Sequence, residues 1–253
     1  MDKKEISIVM AYYNRKDLLL NTLRSIEKSK YKDIVEIIIV DDASNAENKL
    51  DDLKFNLDIN VIEVSEIEKK WINPSVPYNK AFNVVTTDKI IIQNPECLHI
   101  GDVIAGVKNY LRDGTYLSFG CYSVDQNVQD KINQVENSID YTKNINNVIP
   151  FYEKGVSVDG ENGWYNHIKY RPHYLHWCTA ITKSDLKKVG YFNEEFAHGV
   201  GYEDNEFLHR VKKHTQIKYV TGPIVIHQFH GRTNYSRIDL VRKNATLAQK
   251  LMI

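Results

Sequence analysis

Apolar residues arrive along this chain in two rhythms. Short runs rich in β-branched side chains, at 6–11, 34–40, 59–64 and 89–93, have the length and character of buried strands. Between them Leu19, Leu23 and Ile26 recur at the spacing of one helix face, as do Tyr78, Phe82 and Val85. Strands alternating with helices over the first hundred residues predict a parallel, Rossmann-like sheet. Beyond them a helix is expected over 100–111 and a strand over 116–124. Val128, Ile132, Val135 and Ile139 again keep helical spacing. Residues 151–173 have little periodicity but carry Gly155, Gly160, Gly163, Trp164 and Tyr165, which suits a binding loop or lid. Strands follow over 174–182, before a short helix, and over 223–227, before His230, Gly231 and Arg232. The chain is expected to be helical from Ser236 onward. It shows no internal repeat, linker or low-complexity tract.

Composition narrows the class. Of the 253 residues 42% are apolar, enough for a sizeable core, and Lys plus Arg balance Asp plus Glu at 33 each. Such a balance gives no field to attract nucleic acid or an anionic membrane, and neither is expected as a partner. No apolar run approaches the roughly 20 residues of a membrane span. The N-terminus runs from Met-Asp-Lys-Lys-Glu into the first strand without an apolar leader, and Cys97, Cys121 and Cys178 form no CxxC pair. A cytoplasmic protein with reduced, core-packed thiols is the expectation.

The candidate chemistry gathers at strand ends. Tyr13-Asn14-Arg15, Asp41-Asp42 and Asn94-Pro95-Glu96 each follow a predicted strand, where open α/β sheets bind ligands. A further stretch, 199–210, reads Gly-Val-Gly-Tyr-Glu-Asp-Asn-Glu-Phe-Leu-His-Arg. Its glycines allow a tight loop that delivers Glu203 and Asp204 to the first turn of a helix. Free N–H groups and the helix dipole there favour ionised carboxylates, and an ionised carboxylate in a cleft suits a general base for a hydroxyl group. The same pair reads equally well as an acidic helix cap.

In this order the clusters resemble the GT-A glycosyltransferases of the large inverting family-two type. Ile-Val-Met-Ala-Tyr-Tyr-Asn-Arg followed by Ile-Ile-Ile-Val-Asp-Asp-Ala-Ser is similar to that family's opening signature. Tyr-Asn-Lys-Ala-Phe-Asn and Gly-Tyr-Glu-Asp-Asn-Glu-Phe…Arg look like its galactosyltransferase and chondroitin-polymerase branch. The resemblance covers residues 6 to about 235. It implies one α/β domain over 1–253, a Rossmann-like mixed sheet with helices on both faces. Residues 1–98 would form the nucleotide-sugar half, 99–235 the acceptor and catalytic half, and 236–253 a C-terminal helix.

The resemblance also assigns roles. Tyr13 would stack on the donor base and Asp42 would accept its ring N–H. Asp41 would hold the turn or the ribose, and Arg15 would face the diphosphate. Asn14, Asn79 and Asn94 join the donor set. The family's Asp-x-Asp metal motif reads Asn94-Pro95-Glu96 here, leaving Glu96 as a ligand for Mn²⁺ or Mg²⁺. A second ligand is expected from the last strand, His227 first and His230 in reserve. Asp204 would be the base and Glu203 its orienting partner. His176, Trp177, Trp164 and Tyr202 would line the acceptor site, by stacking in the case of the two indoles. The implied activity is inverting transfer of a sugar, from a UDP-sugar foremost, to a glycan or other hydroxyl acceptor. Two other classes remain. A sugar-nucleotide nucleotidyltransferase would need a Gly-rich loop after the first strand, which Ala-Tyr-Tyr-Asn-Arg lacks. A degenerate member that binds without turnover is suggested by the altered metal motif.

Overall fold

The first strand, β1 (Ile6–Tyr12), sets the architecture because its alternate side chains feed two cores. Ile6, Ile8, Met10 and Tyr12 point to one face of the sheet and Val9 to the other, the two-residue period of a strand buried on both sides. A computed structural model describes residues 3–136, 145, 147–231 and 237–253. Ile139, Arg232 and Ser236 lie outside them. In it β2 (Val35–Asp41) and β4 (Lys89–Gln93) flank β1 in parallel, and β3 (Asp58–Glu63) adds to β2. The first half is thus the parallel α/β unit expected from the alternation.

The second half reverses direction. Strands β5 (Cys97–Ile100), β6 (Thr115–Ser123), β7 (Gly163–Asn166), β8 (Cys178–Thr182) and β9 (Gln216–His227) complete a mixed sheet of order β3-β2-β1-β4-β8-β6-β9-β5, with β7 beside β6. Helices cover both faces. On one side α1 (Lys16–Glu27) and α3 (Val103–Tyr110) bury Leu19, Leu23, Ile26, Ile104 and Val107. On the other, α2 (Ser75–Val84), α5 (Lys183–Val189) and α6 (Glu203–His214) bury Phe82, Leu186, Phe207 and Val211. Helices α4 (Gln126–Glu136) and α7 (Ile238–Leu251) complete the named elements. Among the described residues no helix is long and apolar enough to cross a membrane.

Three expected elements are redrawn. The helix expected from residue 100 begins at Val103, where Asp102 accepts a hydrogen bond from the Ala105 N–H at 2.8 Å. The four residues before the Gly101 turn are strand β5 instead, Ile100 pairing with Ile224. The aromatic 151–173 segment contains β7. The last strand starts seven residues earlier than its apolar run, at Gln216, and crosses Gly222-Pro223 through a register shift opposite Phe119 and Gly120. A proline, which cannot donate to a ladder, is tolerated at such an irregularity.

The helix that carries the acid pair is fixed at its middle. Arg210 makes two 2.7 Å bonds to Glu206 and donates to the carbonyls of Val189, Gly190 and Tyr191, closing the C-terminal end of α5. Arg210→Ala would leave those groups and a buried carboxylate without a partner. We expect a loss of about 3 kcal/mol in urea-unfolding free energy. A loss below about 1 kcal/mol would assign the pair no structural weight.

Candidate functional site

The β1–α1 and β2 loops are built against each other. Asn14 and Arg15 are both left-handed, with φ of 57° and 63°, a conformation that costs a residue with a side chain about 1–2 kcal/mol. What holds them there is the facing loop. The Asn14 N–H donates to Ser44 Oγ at 2.8 Å, Asn45 N–H donates to Asn14 Oδ1 at 3.1 Å, and Lys16 N–H donates to Asn48 Oδ1 at 2.9 Å. Asp41, fully buried, accepts from Ser44 N–H at 2.9 Å and so serves the turn.

Beyond these loops opens a cavity of about 440 Å³ lined by Tyr13, Arg15, Asp42, Lys69 and Arg237 among others. Three cations and one acid give it a positive balance. Tyr13 is 53% exposed, its ring face 3.8 Å from Lys69 Nζ. Lys69 also reaches Asp42 Oδ2 at 2.9 Å, and Trp71 Nε1 donates to Asp42 Oδ1 at 2.8 Å. Burial raises the Asp42 carboxyl while Lys69 and Trp71 oppose the rise. Lys69, Trp71 and Arg237 were not among the expected site residues. The first two lie in an aperiodic polar stretch, and only the nearby Pro74 and Pro77 hint that it is a shaped loop.

Arg15 joins this cavity to a second cluster, its guanidinium standing 3.4 Å from Glu96 Oε1. His227 Nε2 lies 3.4 Å and His230 Nε2 3.8 Å from the same oxygen. Ligand atoms of Glu96, His227 and His230 all fall within 4.8 Å of one another. Strand pairing explains the meeting: β5 and β9 run antiparallel with Cys97 opposite His227, so both chain segments emerge at one point. Burial would raise Glu96, but His227, Arg15 and His230 hold it down to about 2. Burial also pushes His230 down to about 4, leaving its imidazole neutral at pH 7. One carboxylate and two imidazoles make a donor set suited to a divalent ion such as Mn²⁺. The residues therefore fit a cation. The Tyr165 ring meets His227 edge-on at 5.0 Å and stacks on Trp177 at 5.5 Å, so β7 brings the aromatic segment to the cluster.

The acid pair stands where the chain enters α6. Tyr202 takes the left-handed conformation at the helix start, φ 70°, and offers no side-chain cap. Glu203 is 5% exposed and accepts from Asn73 Nδ2 at 2.6 Å. Asp204 is partly buried and accepts from the Asn205 N–H at 2.7 Å. The expectation that both acids are ionised is corrected. Burial, then the charge of Asp204, pushes Glu203 up to about 8, and burial raises Asp204 as well. Loss of solvation outweighs the helix dipole, and Glu203 keeps its proton at neutral pH. The two clusters share a neighbour in Tyr78. Burial pushes its phenol well above the usual range, and the charges of Glu96 and Glu203 are among those that push it further.

A pH dependence of stability follows. A carboxyl whose pKa rises from 4.5 to about 8 on folding costs stability increasingly as pH climbs through that window. The melting temperature should fall between pH 5 and pH 8, about the bounds of that window. Glu203→Gln should flatten the profile. An unchanged slope in the variant would show that Glu203 is not the group responsible.

Other expected residues lie apart. Asn79 exchanges three hydrogen bonds with Phe192 and Glu194 and holds that turn, not the cavity. Asn94 accepts from the Tyr78 hydroxyl at 3.2 Å beside Glu96. His176 is buried between Tyr78 and Phe192, ring centroids 5.1 Å from each, and Trp164 packs edge-on against Tyr122. Of the four residues expected to line an acceptor site, Trp177 and Tyr202 are only partly buried.

Comparison with known proteins bears on the fold and the family. No curated protein matches the chain. Solved structures do, at identities that establish shared fold alone. The mannosyltransferase PcManGT from Pyrobaculum calidifontis, in complex with GDP-Man and Mn²⁺, aligns over 99% of this chain and 65% of its own at 15% identity, TM-score 0.58. S. aureus TarS in complex with UDP-GlcNAc aligns over 90% of this chain and 59% of its own at 14% identity, TM-score 0.62. The TarS complex with UDP aligns over 96% and 64% at 15% identity, TM-score 0.58. The chain thus spans about three fifths of the length of the structures it matches. Their fold is the GT-A fold described above. The family model for glycosyl transferase family 2 matches residues 7–170, most of the chain and all of the cavity's first loops, and the chain belongs to that family.

Proposed function

We propose that this protein is an inverting glycosyltransferase that moves a sugar from a nucleoside-diphosphate donor, a UDP-sugar foremost, to a hydroxyl of a glycan or similar acceptor. The observation that carries this is the position of Arg15, which lines the cavity beside Tyr13 and Asp42 while touching Glu96 in the cation cluster. A base held by Tyr13 and Asp42 would leave its diphosphate at Arg15, next to the residues that fit a metal. Neighbours of the same fold are bound to GDP-Man with Mn²⁺ and to UDP-GlcNAc, in line with this reading. The nearest branch is the galactosyltransferase and chondroitin-polymerase one. Residues 1–98 act as the donor half and 99–235 as the acceptor half.

Each residue then has a task. Glu96, His227 and His230 would hold Mn²⁺ or Mg²⁺, which would supply charge neutralisation at the leaving diphosphate. The Arg15 fork swings from Glu96 to phosphate oxygens, where a permanent, planar cation is strongest. Asp204 takes the proton of the acceptor hydroxyl as oxygen attacks the anomeric carbon opposite the departing diphosphate. Glu203, held by Asn73 and carrying the proton of the pair, keeps Asp204 the ionised member. Trp177 and Tyr202 face the acceptor.

The test is release of nucleoside diphosphate from a panel of UDP-, GDP- and dTDP-sugars with Mn²⁺, with and without glycan acceptors. Nuclear magnetic resonance of the product gives its anomeric configuration. Retained configuration would remove the single-base mechanism. Failure of every donor both to bind and to turn over would remove the function.

A further inference from the structure

The loop that delivers the acid pair does not hold itself in place. Between Phe196 and Tyr202 it makes few hydrogen bonds of its own; Ala197 O accepts from the Ile72 and Asn73 N–H groups at 2.9 and 3.2 Å, and its other external anchors come from α7. The Asn244 side chain is completely buried, and its Nδ2 donates to Gly201 O at 2.8 Å and to Phe196 O at 3.1 Å, bracketing the loop. One helical turn earlier, Leu240 O accepts the Val200 N–H at 3.1 Å. Gly199 completes the fit. Its φ of −133° is ordinary extended backbone, so conformation does not require glycine. Space does: a Cβ there would stand 2.0 Å from Asn244 Oδ1. That oxygen has no hydrogen-bond partner among the described residues, although the atom is buried, which is a cost accepted for the position of the amide.

We propose that Asn244 is a positioning residue for Asp204. By pinning the carbonyls on either side of the loop, its carboxamide fixes where Tyr202 turns and hence where the first turn of α6 presents the base. The proposal rests on the glycosyl-transfer reading for the role of Asp204. The placement of the loop stands on geometry alone. General-base catalysis needs the acceptor oxygen within hydrogen-bond reach of the carboxylate, so a loop displaced by about 1 Å can lower turnover by about 10²-fold without touching the donor.

Asn244→Ala tests it by two readouts. In hydrogen exchange, the Val200 amide and the amides through Glu206 should exchange about tenfold faster than in the wild type, with those of β1 and β2 unchanged. In kinetics, kcat should fall by about 10–100-fold while donor affinity stays within about threefold. A purely structural role would lower melting temperature and leave the kcat of the folded fraction intact. Folded Asn244→Ala with wild-type kcat, or with unchanged exchange across the loop, overturns the proposal. If that variant does not fold, Asn244→Asp, which keeps the volume and loses both N–H donors, is put through the same two measurements, and wild-type kcat or unchanged loop exchange in it overturns the proposal equally. Failure of the underlying function is separable. Wild-type protein that turns over no donor removes the glycosyl-transfer reading, whereas the exchange measurement still decides whether Asn244 sets the loop.

Discussion

Asp204→Asn is expected to reduce sugar transfer by about 10²–10⁴-fold while donor affinity and fold persist. The amide keeps the shape of the carboxylate and loses the proton acceptor. The competing account, that the pair merely caps α6, makes a different forecast. A lost cap costs about 1 kcal/mol of stability and leaves chemistry intact. Asp204 accepts from Asn205, its immediate neighbour, and the helix begins at Tyr202 with no side-chain cap. Glu203→Gln should cost less in turnover than Asp204→Asn, because a neutral group at 203 resembles the protonated acid already there. Melting temperature, donor affinity and transfer rate measured on both variants separate the accounts. A stable Asp204→Asn protein with near wild-type transfer would take Asp204 out of the mechanism.

Glu96→Gln is the second large effect. Its carboxylate faces His227, His230 and Arg15, so the variant leaves three donors around a neutral amide. Mn²⁺ binding by calorimetry should disappear, and transfer should fall by about 10²–10³-fold, the scale of losing one charge-stabilising element at a developing anion. Donor affinity measured without metal should change little, and EDTA should bring the wild type down to the level of the variant. Full activity of the wild type in EDTA would refute the metal assignment and leave Arg15 as the cation for the diphosphate.

How much of this could be read in advance depended on whether the signal was local. The alternation of Ile6, Ile8 and Met10 against Val9 is a property of a few consecutive residues, so β1, β2 and β4 were visible together with the polar residues that cap them. The meeting of Glu96 with His227 was suggested by family resemblance. The antiparallel pairing that causes it, between segments far apart in sequence at Cys97 and His227, leaves no periodic trace. Strand β5 was hidden because four residues are too few to distinguish from the first turn of a helix. Side-chain partnerships were harder still. Asn79 and Asn94 both read as polar groups near strand ends. Only the folded chain sends the first to Phe192 and the second toward Glu96. The protonation of Glu203 was misjudged for a related reason. The helix start was plain in the sequence, but the burial that overrides it exists only in the folded chain, where Asn73, 130 residues away, donates a hydrogen bond that opposes the rise without cancelling it.

The place of β9 in the sheet bears on how the protein is synthesised. Of the described strands of this sheet it leaves the ribosome after the others, yet it lies between β6 and β5, pairing with both. Until residue 227 has emerged, the nascent chain carries two unsatisfied strand edges facing an empty slot. Such edges can be filled by a strand from another chain as readily as by their own. Closure joins segments far apart in sequence, a class of contact that forms slowly. The period of greatest aggregation risk therefore ends in the same event that brings His227 to Glu96. A ribosome-stalled chain arrested before β9 should bind chaperones, and release of the final segment should confer protease resistance and cation affinity together.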